Sequence, residues 1–289
     1  MVSHAANPFG VWQENGLLRV YFTSRDANNR SHITFAETDP NTEFSVASVS
    51  DEPVLVPGDP GFFDDSGVAM GCLLSVNGKE YLYYLAWNLR VTVPWLNTIG
   101  LAVKSEKTSR FAKYSRAPVM DRSDEDPFSI SYPSIIYENG KYRMWYGSNL
   151  RWGKVPEEMD HVIKYAESDD GIHWNRSRKV AVGLLHKNEY AISKPFVLKT
   201  NNQGYTMFYS YRGNGAITTY RIGHAVSADG FDWSRRDDET GIGISASGWD
   251  SEMICYPFVF GYRDETYMFY NGNGYGRTGF GLAKLEQDG

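Results

Sequence analysis

Carboxylates recur just ahead of apolar runs in this chain. Asp64 and Asp65, Asp126, Glu189 and Glu252 stand five to seven residues before Gly71, Pro133, Pro195 and Pro257. Two carboxyl groups can share acid–base work at an acetal carbon, one protonating the leaving oxygen while the other activates water. A separation of about 6.5–9.5 Å suits inversion and about 5–5.5 Å suits retention. Asp65 is the candidate base. Glu189 and Glu252 are the candidate acids, because the neighbouring Tyr190 and Trp249 offer apolar surface that raises a carboxyl pKa by desolvation. Asp126 completes the catalytic set. A structural reading stands beside this one: Asp64 and Asp65 can cap a turn in GDPGFFDDSG, and Asp126 precedes Pro127, a turn-starting pair.

A second set of residues could bind rather than react. Arg25, Trp87, Asn88, Arg151, Arg212 and Asn271 follow the second apolar run of each unit, and Asp64 precedes a first run. Amides and guanidinium planes pair with hydroxyl groups, and aromatic faces pack on sugar C–H surfaces. Arginine forks suit phosphate equally well, and Arg25 and Arg212 can also be read as surface ion pairs. Lys194 and Tyr256 alternate with strand residues, facing either the ligand or a neighbouring unit. His4 stands five residues before Phe9, as Glu252 stands before Pro257. That offset predicts His4 and Glu252 in one pocket, with a neutral imidazole taking or holding a proton.

The elements that position these residues follow from a repeat. Phe9, Gly71, Pro133, Pro195 and Pro257 are 62 residues apart, and so are Phe22, Tyr84, Tyr146, Phe208 and Tyr270. Asn15-Gly16, Asn77-Gly78 and Asn139-Gly140, with Asn202 and Asp264 in register, mark hairpin turns between first and second strands. Third strands carry Ala36, Ala102, Ala166, Ala225 and Ala283, and two lead into Ser-x-Asp-Gly-x-x-Trp turns ending at Trp174 and Trp233. Five such units predict an all-β fold, one five-bladed β-propeller domain with blades at about 5–58, 64–122, 126–185, 189–247 and 252–289. Inner strands then line a central channel, and loops gather the candidates at its mouth.

Composition narrows the function classes. A net charge of −6 without a basic stripe leaves no electrostatic footprint for nucleic acid. No apolar run approaches the roughly 20 residues of a membrane helix, and Met1 to Val11 lacks the order of a signal peptide, so the expectation is a soluble cytoplasmic protein. Cys72 and Cys255 lie in strand-like runs and read as buried thiols. Scattered histidines predict no metal, nothing points to a cofactor, and Gly272-x-Gly274-x-Gly276 reads as a glycine-rich hairpin rather than a phosphate loop. Oligomeric state is open.

Over nearly its whole length the chain resembles the five-bladed propeller glycosidases of the family 43 and family 32 glycoside hydrolases. YFTSRDANNRSHI, FFDDSGVAMGC, VTVPW, NEYAISKP, GWDSEMICYPFVF and YNGNGYGRTGFGLA are also similar to uncharacterised propellers found among bacterial surface-polysaccharide genes. The resemblance implies three acids at the channel mouth, the first usually an Asp opening blade one, where this chain has Ser3-His4 and Asn7-Pro8. It therefore implies a glycoside hydrolase-like, carbohydrate-active enzyme. Two alternatives stay open: a sugar-binding propeller without catalysis, and an enzyme acting on a phosphorylated or nucleotide-activated sugar.

Overall fold

A computed structural model describes residues 1–105, 108–153, 159–200 and 204–286. Short runs of aromatic and β-branched residues broken by turn residues give antiparallel meanders, five in succession among the described residues. The first is β1 (Ser3–Trp12), β2 (Leu18–Arg25), β3 (Ser31–Asp39) and β4 (Ser45–Val49). The second is β5 (Gly67–Val76), β6 (Lys79–Leu89), β7 (Trp95–Lys104) and β8 (Phe111–Lys113). The third is β9 (Ile130–Glu138), β10 (Lys141–Arg151), β11 (Asp160–Ser168) and β12 (Asn175–Val182). The fourth is β13 (Glu189–Lys199), β14 (Tyr205–Gly213), β15 (Arg221–Ser227) and β16 (Ser234–Arg235), and the fifth is β17 (Cys255–Tyr262), β18 (Glu265–Asn271) and β19 (Phe280–Lys284). No helix among the described residues is long and apolar enough to cross a membrane.

The turns explain the pairing. Asn77 and Gly78 have φ of 51° and 76°, and Asn139 and Gly140 have 51° and 80°, the paired positive values of a type I′ hairpin. Arg263 and Asp264 adopt the same conformation without glycine. Asn202 lies outside the described residues. Third-strand Ala36, Ala102, Ala166, Ala225 and Ala283 oppose Val20, Leu82, Met144, Met207 and Met268 in the same register.

Every first strand carries a two-against-one bulge at one place. Asn7-Pro8, Met70-Gly71, Tyr132-Pro133, Lys194-Pro195 and Tyr256-Pro257 each oppose a single residue, respectively Phe22, Tyr84, Tyr146, Tyr209 and Tyr270. Two of the sequence markers are thereby corrected by one residue: Pro8, not Phe9, is the counterpart of Pro133, and Tyr209, not Phe208, is the counterpart of Tyr146. Gly71 takes the proline position of the second meander, where a Cβ would stand 2.3 Å from the Tyr83 carbonyl oxygen. One step further along, Phe9, Phe196 and Phe258 meet with ring centroids 4.7–6.3 Å apart and close the interior with an aromatic plug.

Neighbouring meanders are tied through side chains. The Tyr83 hydroxyl donates to the Gly171 carbonyl at 2.9 Å, and Trp145 Nε1 donates to Gly230 at 2.9 Å, so each docks on the Ser-x-Asp-Gly turn of the meander that follows. The first and fifth meanders meet where the Asn7 amide donates to Asn271 Oδ1 at 3.0 Å and where Phe22 packs on Phe280.

A buried acid and a tyrosine 20 residues later form a repeated clasp. Tyr84, Tyr146 and Tyr270 donate their hydroxyls to Asp64, Asp126 and Asp250 at 3.1, 2.8 and 2.9 Å. These three acids are all buried. Lys113 approaches Asp64 at 2.6 Å, while Asp126 receives Ser148 at 2.5 Å, Lys164 at 2.9 Å and Arg176 at 3.1 Å. In the fourth meander Tyr209 turns instead to Asp237. Asp64 and Asp126 therefore act inside the meanders and do not reach the channel mouth, where the sequence reading had put them.

Burial pushes the Asp126 carboxyl up, yet hydrogen bonds from Ser148, Lys164 and Tyr146 hold it below the ordinary range. A depressed folded pKa adds stability above the unfolded value of about 3.9 and loses it as pH falls through the folded value. Asp126→Ala strands Lys164 and Arg176 and is expected to cost roughly 3–5 kcal/mol in urea unfolding, with a flatter acid limb than the parent. A variant as stable as the parent from pH 2 to 7 would contradict the clasp.

Candidate functional site

The bulges aim side chains at one cavity of about 400 Å³ that draws residues from all five meanders. Its wall is cut from small residues at equivalent places on the first strands, Ala6, Ala69, Ser131 and Ser193, which leave room for a ligand. The left-handed Asn7, Tyr132 and Tyr256 form its inner end, and Tyr132 and Tyr256 lie with centroids 5.4 Å apart. Arg25, Trp87 and Asn149, spaced by 62, reach it from the second strands, joined by Arg212 one residue late because the fourth hairpin is longer. Trp95, Tyr220, His161 and Tyr275 add aromatic and polar surface from the third strands and the loop after β18.

The charge of this cavity is one-sided. None of its described lining residues is Asp or Glu. Arg25 donates to Asn29 Oδ1 at 2.7 Å and lies 6.0 Å from the Trp87 ring, with no carboxylate in ion-pair range among the described residues. Arg212 lies 4.8 Å and 5.1 Å from the Tyr220 and Tyr190 rings and donates to the Tyr275 hydroxyl at 2.7 Å. Its Nε is buried without a hydrogen-bond partner among the described residues, as are Asn7 Oδ1 and Asn149 Nδ2. Arginines elsewhere, such as Arg19, Arg143, Arg176 and Arg235, do sit on carboxylates.

Both histidines here are held neutral. Burial, then Arg25 and Arg277, lower the His4 pKa. Burial takes His161 down to about 4. His161 Nδ1 lies 2.9 Å from the Ile192 carbonyl oxygen, which can only accept, so Nδ1 carries the proton and Nε2 faces the Tyr220 hydroxyl at 3.4 Å as an acceptor.

Of the sequence candidates, His4, Arg25, Trp87, Arg212 and Tyr256 line this one cavity, and the others lie elsewhere. Asp65 caps its own loop, accepting from Asn88 Nδ2 at 2.7 Å, the Gly61 amide at 2.9 Å and Ser66. Burial opposes these bonds, which nevertheless hold its pKa low, and both carboxyl oxygens are engaged within the loop and outside the cavity lining. Asn88 is occupied in the same contact. Glu189 is locked in a two-pronged pair with Arg235 at 2.8 and 3.0 Å, at the edge of a side groove that also takes in Arg151 and its partner Asp160. Glu252 has an exposed side chain on the rim, its backbone held by Asn273 and Thr219. The one-residue correction explains this: measured from Pro8, the counterpart of His4 is Met253. Asn271 is buried, bonded to Asn7. Among the described residues no cluster of His, Cys, Asp and Glu could hold a metal ion.

Lys194 is wholly buried below the cavity. Its ammonium donates to the Gly71 carbonyl at 2.9 Å, has no carboxylate partner among the described residues, and lies 5.9 Å from the Tyr132 ring. Tyr132, Tyr220, Tyr275 and Trp95 were not among the sequence candidates, although Tyr132 stands 62 residues before Lys194 and 124 before Tyr256.

No family model matches the chain. The uncharacterised protein Rv1502 of Mycobacterium tuberculosis is 44% identical over 284 residues, covering 98% of this chain and 93% of that protein. The chain belongs to the family of Rv1502. A β-1,2-mannobiose phosphorylase of Thermoanaerobacter is 26% identical over 135 residues, 43% of this chain and 44% of that protein. Among solved structures, one described as a glycoside hydrolase superposes with a TM-score of 0.78 at 15% identity over 99% of this chain and 88% of its own. This chain thus has the β-propeller fold of those glycoside hydrolase structures.

Burial brings the Lys194 pKa down to about 8. Between there and the unfolded value of about 10.4, the unfolded chain holds the extra proton, so this lysine makes stability rise with pH. Urea melts from pH 7.5 to 10 should show the parent gaining on the order of 2–3 kcal/mol relative to Lys194→Met. Parallel profiles would contradict an unpaired buried ammonium.

Proposed function

We propose that the five meanders are the five blades of one propeller, and that this carbohydrate-active, glycosidase-like protein binds a sugar bearing an anionic group. A phosphate ester or nucleotide-activated sugar fits best, of the kind used in building surface polysaccharide. The observation that carries this reading is the pair Arg25 and Arg212: two cations facing one cavity with no acid beside either among the described residues, surrounded by rings and amides. Both guanidinium groups are half-buried, and an anionic ligand offsets the hydration they give up in the bound state. Tyr132, Tyr256, Trp87 and Trp95 offer faces to sugar C–H groups, and Asn7, Asn97 and Asn149 offer hydrogen bonds to hydroxyls. The mannobiose phosphorylase among the relatives supports a sugar ligand and makes mannose a sensible probe. Carboxylate acid–base chemistry in this cavity has no group to perform it among the described lining residues, so the binding of the anion, not an acid pair, is the feature to test.

Calorimetry with mannose, mannuronate and mannose 1-phosphate tests it. The phosphate is expected to bind at least about tenfold tighter than mannose, and Arg25→Gln or Arg212→Gln to remove about 1.5–3 kcal/mol of that binding. Arg212→Lys should not restore it, since a lysine cannot lie flat between Tyr190 and Tyr220. Equal binding of mannose and its phosphate, unchanged in the arginine variants, would overturn the reading.

A further inference from the structure

Exposed apolar side chains lie on and beside the part of the cavity wall formed by the second and third meanders. Leu89 is 70% exposed, Val91 is fully exposed and Leu150 is 44% exposed. Leu89 and Trp95 are paired across β6 and β7 and both line the cavity. Trp95 meets Trp152 edge to face with centroids 5.5 Å apart, and Leu150 is pushed outward by a bulge in β10 between Asn149 and Arg151. Leu89, Trp95 and Trp152 therefore form an apolar strip that begins in the cavity wall, and the exposed Val91 and Leu150 lie within two residues of it in sequence. Other exposed aliphatics, such as Val46 and Val49 on β4, stand on outer strands away from the cavity. Isolated exposed aliphatics are ordinary, but a lip continuous with a ligand cavity is a mark of apolar contact.

Resting on the anionic-sugar reading, we propose that the ligand is amphiphilic: its charged sugar end enters the cavity, and an apolar alkyl or aromatic aglycone attached to it lies along Leu89, Val91, Trp95, Leu150 and Trp152. Continuity fixes the occupant. A group leaving the cavity past Trp95 meets this lip first, and the same molecule then satisfies Arg25 and Arg212 inside and covers apolar surface outside.

Two probes separate the halves of this proposal without knowledge of the sugar: methyl phosphate and octyl phosphate, the latter kept below its micelle concentration. In calorimetry the octyl ester should bind about 10- to 100-fold tighter, the gain from a few buried methylenes. The double variant Val91→Ser, Leu150→Ser should lose most of that advantage while its affinity for methyl phosphate and its urea midpoint stay unchanged. Val49→Ser is the control and should keep the full advantage. Equal affinity for the two esters, or an octyl advantage that survives the double variant, overturns the lip while leaving the anion site intact. Failure of both esters to bind overturns the anion reading and the lip with it. Light scattering closes the remaining route: a dimer in the parent that dissociates in the double variant assigns the lip to a second copy of the chain and refutes the aglycone.

Discussion

Four side-chain-bearing residues, Asn7, Tyr132, Lys194 and Tyr256, are held in the left-handed backbone region, with φ of 54°, 39°, 52° and 60°, each immediately before a proline. That conformation costs of order 1–3 kcal/mol per residue and persists only where surrounding structure over-determines it. Here the second strand supplies the constraint. Each bulge is pinned on both sides by ladder pairs, and the proline lacks the N–H that an in-register strand would need to place. In these four meanders the bulge turns one side chain inward. The wall of small residues, the ring of Asn7, Tyr132 and Tyr256, and the phenylalanine plug beyond them all follow from this one repeated irregularity.

The same repeat divides the charges of the molecule. Of the acids ahead of the first strands, Asp64 and Asp126 are drawn onto a tyrosine and nearby cations, Glu189 onto Arg235, and Asp250 onto Tyr270. What remains at the axis is positive or neutral: Arg25, Arg212, the buried Lys194, and two histidines whose surroundings keep them uncharged. In a low-dielectric cavity such an imbalance is not screened as it would be on the surface. The proposed anionic ligand rests on this imbalance, even though the chain as a whole carries −6.

Much of the architecture was legible in the sequence. Apolar runs and Asn-Gly turns are local signals, and their spacing of 62 exposed the repeat directly. The bulge was less visible, because Pro8 and Phe9 are adjacent and either can be taken as the marker; that single residue misplaced Glu252 opposite His4. A longer fourth hairpin hid Tyr209 behind Phe208 in the same way. The acids were misassigned for a different reason. Asp64, Asp126 and Asp250 recur at one register with a tyrosine 20 residues on, and a residue type repeated around a ring serves the ring. Residues that differ at equivalent places, Arg25, Trp87, Asn149 and Arg212, are the ones that line the cavity. Glu189 could not be judged from sequence, since its partner Arg235 lies 46 residues away in a short outer strand.

No acid among the described residues neutralises Arg25 or Arg212, the pair proposed to hold an anion. A crystal soaked with tungstate, a phosphate mimic located by its anomalous scattering, tests this most directly. The prediction is one strong peak inside the cavity within hydrogen-bonding distance of both Arg25 and Arg212, lost in Arg212→Gln. A cavity empty of tungstate, with the peaks confined to exposed cations on the outer strands, would contradict it.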